Sequence, residues 1–400
     1  MRLSTVQIFQ QGVNSILERQ AELARTQEQL ASGKRVASPG DDPIAAVQVL
    51  DISEDLELLD QYRRNGSLAA SQIALAESTL QEVTTVLQRV RELSVQANNA
   101  TQTAETRRAI GVEVSQRLEE LVDLANTRDA NGEYIFAGFQ SDSRPFVSQG
   151  EAVGYAGDEG QRFLQVGAET RVAVRDPGSS IFLDVPAGNG GFAVAPAAGN
   201  AGSAVIQETA ATPAFVADDY TLTFSQATPA DPVTYTVTDG AAAVVASGSY
   251  RAGDRIAFAG AEVTVEGAPA DGDSFSIDPA PRRDLFRTVQ GIAEALAAAG
   301  DSAAGGATVN NALNSGLRNL DQALGRITET RAELGARLNR VETQREVNEG
   351  FTLQLQETLS EVQDLDYAEA ISRLNLQLVA LQAAQQTFTR VQGLTLFNFL

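Results

Sequence analysis

Residues 313–341 read LNSGLRNLDQALGRITETRAELGARLNRV. Positions 313, 317, 320, 324, 327, 331, 334, 338 and 341 are Leu, Leu, Leu, Leu, Ile, Arg, Leu, Leu and Val. The spacing alternates between three and four, which puts these side chains on one stripe of a long helix. Arg331 alone interrupts the stripe. Its stem can lie along the seam while its head reaches a glutamate such as Glu329 or Glu333. A stripe this narrow needs a second helix to cover it, so the rest of the chain must supply one.

Several other segments carry the same spacing. Near the N-terminus it falls on Val6, Phe9, Val13, Ile16, Gln20, Leu23, Gln27 and Leu30. Gly33 is a helix stop. Ser38-Pro39-Gly40-Asp41-Asp42-Pro43 then reads as a turn, with Asp42 capping a new helix and Pro43 at its first position. That helix can run to about residue 98, roughly 80 Å at the helical rise. Its stripe is Ile73, Ala76, Leu80, Val83, Leu87 and Val90. A further helix is expected near 104–128, on Ile110, Val114, Leu118, Leu121 and Leu124. Asn131-Gly132 predicts a hairpin turn into Tyr134-Ile135-Phe136-Ala137-Gly138-Phe139. The last helix shows Tyr367, Ile371, Leu374, Leu378, Leu381, Gln385 and Phe388.

The middle of the chain differs in kind. Residues 146–281 hold 17 of the 33 Gly, 9 of the 12 Pro and 12 of the 23 Phe and Tyr. They also carry 17 acidic residues against 5 Arg, so more than half of the net charge of -22 lies there. Period-two alternation marks strands at Tyr220–Phe224, Val233–Thr238, Glu262–Glu266 and Ser274–Ile277. Short strands at this spacing predict a small antiparallel sandwich or barrel. Residues 186–204, mostly Gly, Ala and Asn, read as a long loop.

The fold class is therefore α+β. Long antiparallel, coiled-coil-like helices from the two arms are expected to build an elongated rod with an inserted all-β domain. The expected divisions are a terminal helical domain (1–42 with 350–400), a helical bundle with a β-hairpin (43–145 with 282–349) and the β insert (146–281). The terminal seam is expected on Val6, Phe9, Val13, Ile16, Leu23 and Leu30, and on Ile371, Leu374, Leu378, Leu381 and Phe388. Nothing else in the chain covers these arms, which points to packing between subunits. Gln20, Gln27 and Gln385 weaken the seam. The arms are expected to be mobile in the monomer, because ordering costs roughly 1–2 kcal/mol of backbone entropy per residue.

Composition removes much of the enzyme repertoire. The chain of 400 residues has no Cys and no His, which excludes disulfides, thiolate nucleophiles, imidazole bases and Cys- or His-based metal sites. Its acidity argues against a nucleic-acid partner. No run approaches the roughly 18 apolar residues of a membrane helix, so no membrane insertion is expected. The N-terminus lacks the apolar region of a secretory signal peptide. The chain is expected to stay inside the cell or to leave by a route that cleaves no signal. Of its 30 basic residues only Lys34 is a lysine.

Three segments together carry a resemblance. The first is Leu30-Ala31-Ser32-Gly33-Lys34-Arg35-Val36, continuing to Asp41-Asp42-Pro43. The second is Gly132-Glu133-Tyr134-Ile135-Phe136-Ala137-Gly138 with Arg144-Pro145-Phe146. The third is Arg331-Ala332-Glu333-Leu334-Gly335-Ala336-Arg337-Leu338-Asn339-Arg340. In this order, at both ends of a long helical chain, they resemble the bacterial flagellin family. The likeness covers both helical arms and is weak in the β insert. The opening Arg2-Leu3-Ser4-Thr5 and the closing Leu394-Thr395-Leu396-Phe397-Asn398-Phe399-Leu400 resemble the family's hook–filament junction members more than its filament subunits.

The resemblance implies a structural adaptor of the flagellum, with no cofactor. It implies export, unfolded, through the flagellar type III apparatus, with an uncleaved signal and a cytoplasmic chaperone on the C-terminal arm. The implied partners are hook-associated protein 1, flagellin and copies of the chain in a ring, outside the cell. A filament subunit is the alternative within the family.

Other readings of single motifs are weaker. Asp41-Asp42 suits a helix cap better than a cation, because Pro43 follows at once. Asp271-Gly272-Asp273 suits a strand turn better than a calcium loop, whose oxygen spacing does not continue. Lys34-Arg35 either meets a neighbouring acidic surface or favours a helix C-terminus. Hydrolysis by paired carboxylates is the rival from another class. It needs two acids across a cleft, and a long helical bundle with a small insert offers no evident one.

Overall fold

The computed structural model describes residues 5–149, 152–228, 230–300 and 302–393. The segments at 1–4 and 394–400, used above to separate junction members from filament subunits, lie outside the described residues. So does the side chain of Val6. Among the described residues there are six α-helices: α1 (Thr5–Ser32), α2 (Pro43–Ala97), α3 (Ala104–Ala125), α4 (Leu285–Ala297), α5 (Ala303–Gln363) and α6 (Tyr367–Gly393). Contacts divide the chain into two compact units, Met1–Arg64 with Gln344–Leu400, and Asn65–Thr343.

In the larger unit the periodic residues form the core. Ile73, Leu80, Val83, Leu87 and Val90 of α2 are buried, as are Leu313, Leu320, Ile327, Leu334 and Val341 of α5. Every seventh position of the α5 stripe is buried, and the positions between are partly covered. Thr103 caps α3, its hydroxyl accepting from the Thr106 N–H. Close approach of α3 to α4 uses Gly111, where a Cβ would stand 3.0 Å from the Leu296 Cβ. Arg331 pairs with Glu77 of α2, Nη2 to Oε1 at 2.8 Å, rather than with Glu329 or Glu333. The seam brings the α2 carboxylate beneath its guanidinium, which sequence spacing along α5 does not reveal.

The segment 134–139 is not the strand expected from its sequence. It is a run of turns with Ile135, Phe136 and Ala137 buried. Its backbone is satisfied by scattered partners: Ile135 donates to Thr127 O, Gly178 donates to Phe136 O and Asp158 donates to Ala137 O. Buried from Tyr134 to Gly138, with only Phe139 exposed, it has no need of alternation. Beneath it lies an ion cluster. Arg175, with a side chain 1% exposed, donates Nη2 to Asp129 Oδ2 at 2.6 Å and also pairs with Glu133.

Two hairpins follow, β1 (Phe146–Gln149) with β2 (Ala152–Tyr155), and β3 (Arg162–Gln165) with β4 (Arg171–Arg175). A π turn at Ser179–Leu183 comes next. These elements share the helical core. Phe146 and Phe182 sit with ring centroids 5.4 Å apart, and Phe286 of α4 lies 5.2 Å from Phe146. The composition shift at residue 146 thus marks where helix gives way to strand, while the change of core comes at Phe192.

β5 (Val185–Pro186) pairs with β14 (Arg282–Arg283) as a ribbon that brackets the sandwich in sequence. The sandwich holds β6 (Phe192–Pro196), β7 (Val205–Ala211), β8 (Tyr220–Ser225), β9 (Thr234–Thr238), β10 (Val244–Ser249), β11 (Arg255–Phe258), β12 (Ala261–Glu266) and β13 (Ser274–Pro279). One antiparallel sheet has the order β10-β9-β8-β13-β6 and the other β11-β12-β7. Alternating inward residues such as Leu222, Phe224, Val263, Val265, Phe275 and Ile277 fill the space between them. The expected loop at 186–204 therefore contains a strand, β6. Its Phe192 and Val194 enter the core, and the short side chains around them masked that signal.

Two asparagines of α5 tie the sandwich down. Asn311 donates Nδ2 to Ala204 O (2.9 Å) and accepts from the Ile206 N–H (2.8 Å). Asn319 accepts from the Gly188 N–H at 2.7 Å. Both are buried. In the turn at 271–273, Asp273 spends its oxygens on the backbone N–H groups of Ala201, Gly202 and Ala270, which makes it a turn anchor.

Candidate assembly surface at the paired terminal helices

The smaller unit begins with α1 lying antiparallel to α6. Phe9 and Phe388 have ring centroids 5.2 Å apart. Gly12 leaves room for the same ring, since a Cβ there would meet Phe388 at 2.8 Å. At the other end, Gly33 faces Tyr367. The two helices therefore run past each other along most of their length.

Two chain reversals clasp each other where the helices turn back. Gly33 adopts φ +70° and ends α1, its N–H donating to Gln29 O. Its own carbonyl accepts from the Leu365 N–H at 3.0 Å, and Arg35 N–H donates to Gln363 O at 2.7 Å. Lys34 and Asp364 form the bridge between these bonds. The Arg35 guanidinium donates to Val362 O at 2.6 Å, on the last turn of α5. A cation there neutralises the negative end of the helix. Of the two sequence readings for Lys34-Arg35, this geometry provides a helix C-terminus for Arg35, on α5.

The Asp-Asp-Pro turn divides its work. Asp42 Oδ1 accepts from the Ile44 and Ala45 N–H groups at 3.2 and 3.1 Å, capping α2 above Pro43. Asp41 accepts instead from the Ser38 N–H and hydroxyl at 2.9 and 3.1 Å. Those bonds from Ser38 hold its carboxyl below the usual aspartate range. Asp366 caps α6 in the same way as Asp42, through the Ala368 and Glu369 N–H groups.

The helical faces are incompletely covered. Leu374, Leu381 and Phe388 are partly buried, as are Val13, Ile16, Leu23 and Leu30. Phe9 is 47% exposed, Ile371 50% and Leu378 37%. The seam on α6 follows Ala370, Leu374, Gln377, Leu381, Ala384 and Phe388, by the rhythm of burial. Gln20, Gln27 and Gln385 are exposed, so the glutamine inside the seam is Gln377. Sequence reasoning missed it because α6 offers a more apolar stripe one residue further on.

Large apolar side chains also stand outward on the neighbouring helices. Ile44, Val47 and Leu50 do so on the first turns of α2, and Val347, Phe351 and Leu353 on α5. Exposed apolar side chains in this number, on helices of one unit, are what an interaction surface presents. Among the described residues there is no group of three or more His, Cys, Asp or Glu placed to hold a metal ion. No described helix is long and apolar enough to cross a membrane. The surface can bury apolar area and pair helices.

Comparison with known proteins fits these elements. The bacterial flagellin N-terminal helical region matches residues 3–141, and the C-terminal helical region matches residues 317–400. A crystal structure of flagellar hook-associated protein 3 from Legionella pneumophila superposes with a TM-score of 0.74 at 33% identity, covering 78% of this chain and 98% of that one. The chain belongs to the flagellar hook-associated protein 3 family. Flagellar hook-associated protein 3 of Escherichia coli is 28% identical over 400 residues, which span 100% of this chain and 99% of that protein. Flagellin FlaB2 of Treponema pallidum reaches 40% identity, but over 111 residues that make up 28% of this chain and 39% of the flagellin. The likeness to hook-associated protein 3 runs through the β region, and the likeness to this flagellin does not span the chain.

Proposed function

We propose that this chain is the structural adaptor between the flagellar hook and the filament. It seats on hook-associated protein 1, packs beside copies of itself in a ring, and presents flagellin with the first surface on which to polymerise. The paired terminal helices are the contact surface, with Phe9, Ile371 and Leu378 covered by neighbouring subunits. The full-length likeness to hook-associated protein 3 carries this reading. The half-exposed seam supports the placement of the contacts. The chain reaches the outside of the cell through the flagellar type III apparatus, accompanied by a chaperone, and no signal is cleaved. The role is structural, not catalytic.

The test is a count of this protein against the main filament subunit in purified flagella, whole and sheared. A trace component retained at the hook end supports the adaptor. A dominant component along the filament would make it a flagellin instead.

A further inference from the structure

The face that α6 turns to α1 is not its most apolar face. Ala370 is fully buried, and Leu374, Gln377, Leu381, Ala384 and Phe388 are partly buried in step with it. One residue further on, Ile371 and Leu378 stand half in solvent. A turn of α6 about its axis by roughly 50°, half the angular step of one residue, would exchange the two stripes. It would keep Leu374, Leu381 and Phe388 in the seam. It would replace Ala370, Gln377 and Ala384 with Ile371, Leu378 and Gln385, a gain of two large apolar side chains.

The observed seam carries a polar penalty. Gln377 Oε1 is buried and has no hydrogen-bond partner among the described residues. One turn earlier, Arg373 Nε is in the same condition. A buried amide oxygen without a donor weakens the packing around it, because the water it gave up is not replaced. A single polar residue in a helical seam also settles which register and which number of helices the seam accepts, at a cost in stability.

We infer that Gln377 is a specificity-determining residue of the assembly seam. It keeps the α1–α6 pair of the free subunit weak. The pair then takes its final packing against a second copy of this chain, which covers Ile371 and Leu378. This inference rests on the terminal helices being the subunit contact.

The experiment compares Gln377→Leu with three reference proteins: wild type, Gln377→Asn, and Gln382→Leu, which adds the same side chain on the exposed side of α6. Amide exchange of residues 7–30 and 367–390 is measured in the dilute full-length monomer. Incorporation of each protein is then measured on isolated hook ends. Gln377→Leu is expected to slow exchange in both helices about tenfold or more, and to lower incorporation. Gln377→Asn and Gln382→Leu are expected to behave as wild type. Unchanged exchange in Gln377→Leu overturns the inference. Slower exchange with undiminished incorporation also overturns it, since the residue then affects only the monomer's stability. Failure of the wild-type protein to incorporate would instead count against the adaptor reading, and the exchange comparison would still stand on its own.

Discussion

A Cβ on Gly33 would stand 2.7 Å from the hydroxyl oxygen of Tyr367, and Gly33 itself holds φ +70°. The residue that ends α1 is thus bound to the first residue of α6 by shape as well as by backbone geometry. Gly33→Ala is expected to destabilise the smaller unit by about 1–2 kcal/mol, chiefly through the left-handed backbone. Gly33→Asn should lose less, since Asn visits that region more readily. Denaturant unfolding of the two variants, followed by amide exchange at 29–36 and 363–367, checks this. Equal loss in both would mean that the side-chain clash dominates.

Arg175 is the most deeply buried cation described, and it serves two carboxylates. Arg175→Met leaves Asp129 without its ion-pair partner and Glu133 with Arg162 alone. Removing one partner of a buried pair costs about 3–5 kcal/mol. The expected outcome is a large drop in the unfolding midpoint, with residues 127–141 losing exchange protection first. A drop of under about 1 kcal/mol would place the cluster in the class of solvent-screened pairs.

Asn311→Leu removes a donor for Ala204 O and an acceptor for the Ile206 N–H. Each buried group left unpaired costs roughly 1–3 kcal/mol. Exchange should rise along β7 and leave α2 and α3 unchanged. Loss of protection throughout the larger unit would show that the sandwich and the helices unfold together.

Burial pushes the Tyr155 and Tyr250 hydroxyls up to about 12 from an ordinary value of 10. The folded state therefore holds these protons more tightly than the unfolded chain. The resulting stability is fully present below pH 10 and is lost as pH rises toward about 12. Burial also raises Tyr220, so alkaline titration followed by ultraviolet absorbance should show three of the seven tyrosines ionising late, together with loss of structure. If all seven ionise near pH 10 without unfolding, these rings are open to water.

What the sequence disclosed depended on whether a segment's partner was its own chain. The stripes on Ile73–Val90 and Leu313–Val341 are legible because they bury against each other's helices in one core, and periodicity reports that burial directly. β8, β9, β12 and β13 are legible because they alternate. β10 was missed because Val244 and Val245 are both exposed, so no alternation exists to be read. Residues 134–139 misled because a turn run buried at five consecutive positions, Tyr134 to Gly138, is as apolar as a strand. The tie through Asn311 was invisible, since a buried polar side chain on a helix leaves no periodic trace. The stripe read on α6 shares Leu374, Leu381 and Phe388 with the buried one and differs at Ile371, Leu378 and Gln385, in whose place Ala370, Gln377 and Ala384 are covered. The apolar stripe and the buried stripe differ, and only the fold decides which one faces α1.

On the proposed reading, the paired terminal helices complete their packing only on assembly. The most direct test is amide exchange of residues 7–30 and 367–390 in the dilute monomer and in isolated hook–filament particles. The account predicts rapid exchange in the monomer and strong protection in the particle. Strong protection of both helices in the dilute monomer, unchanged in the particle, would contradict it.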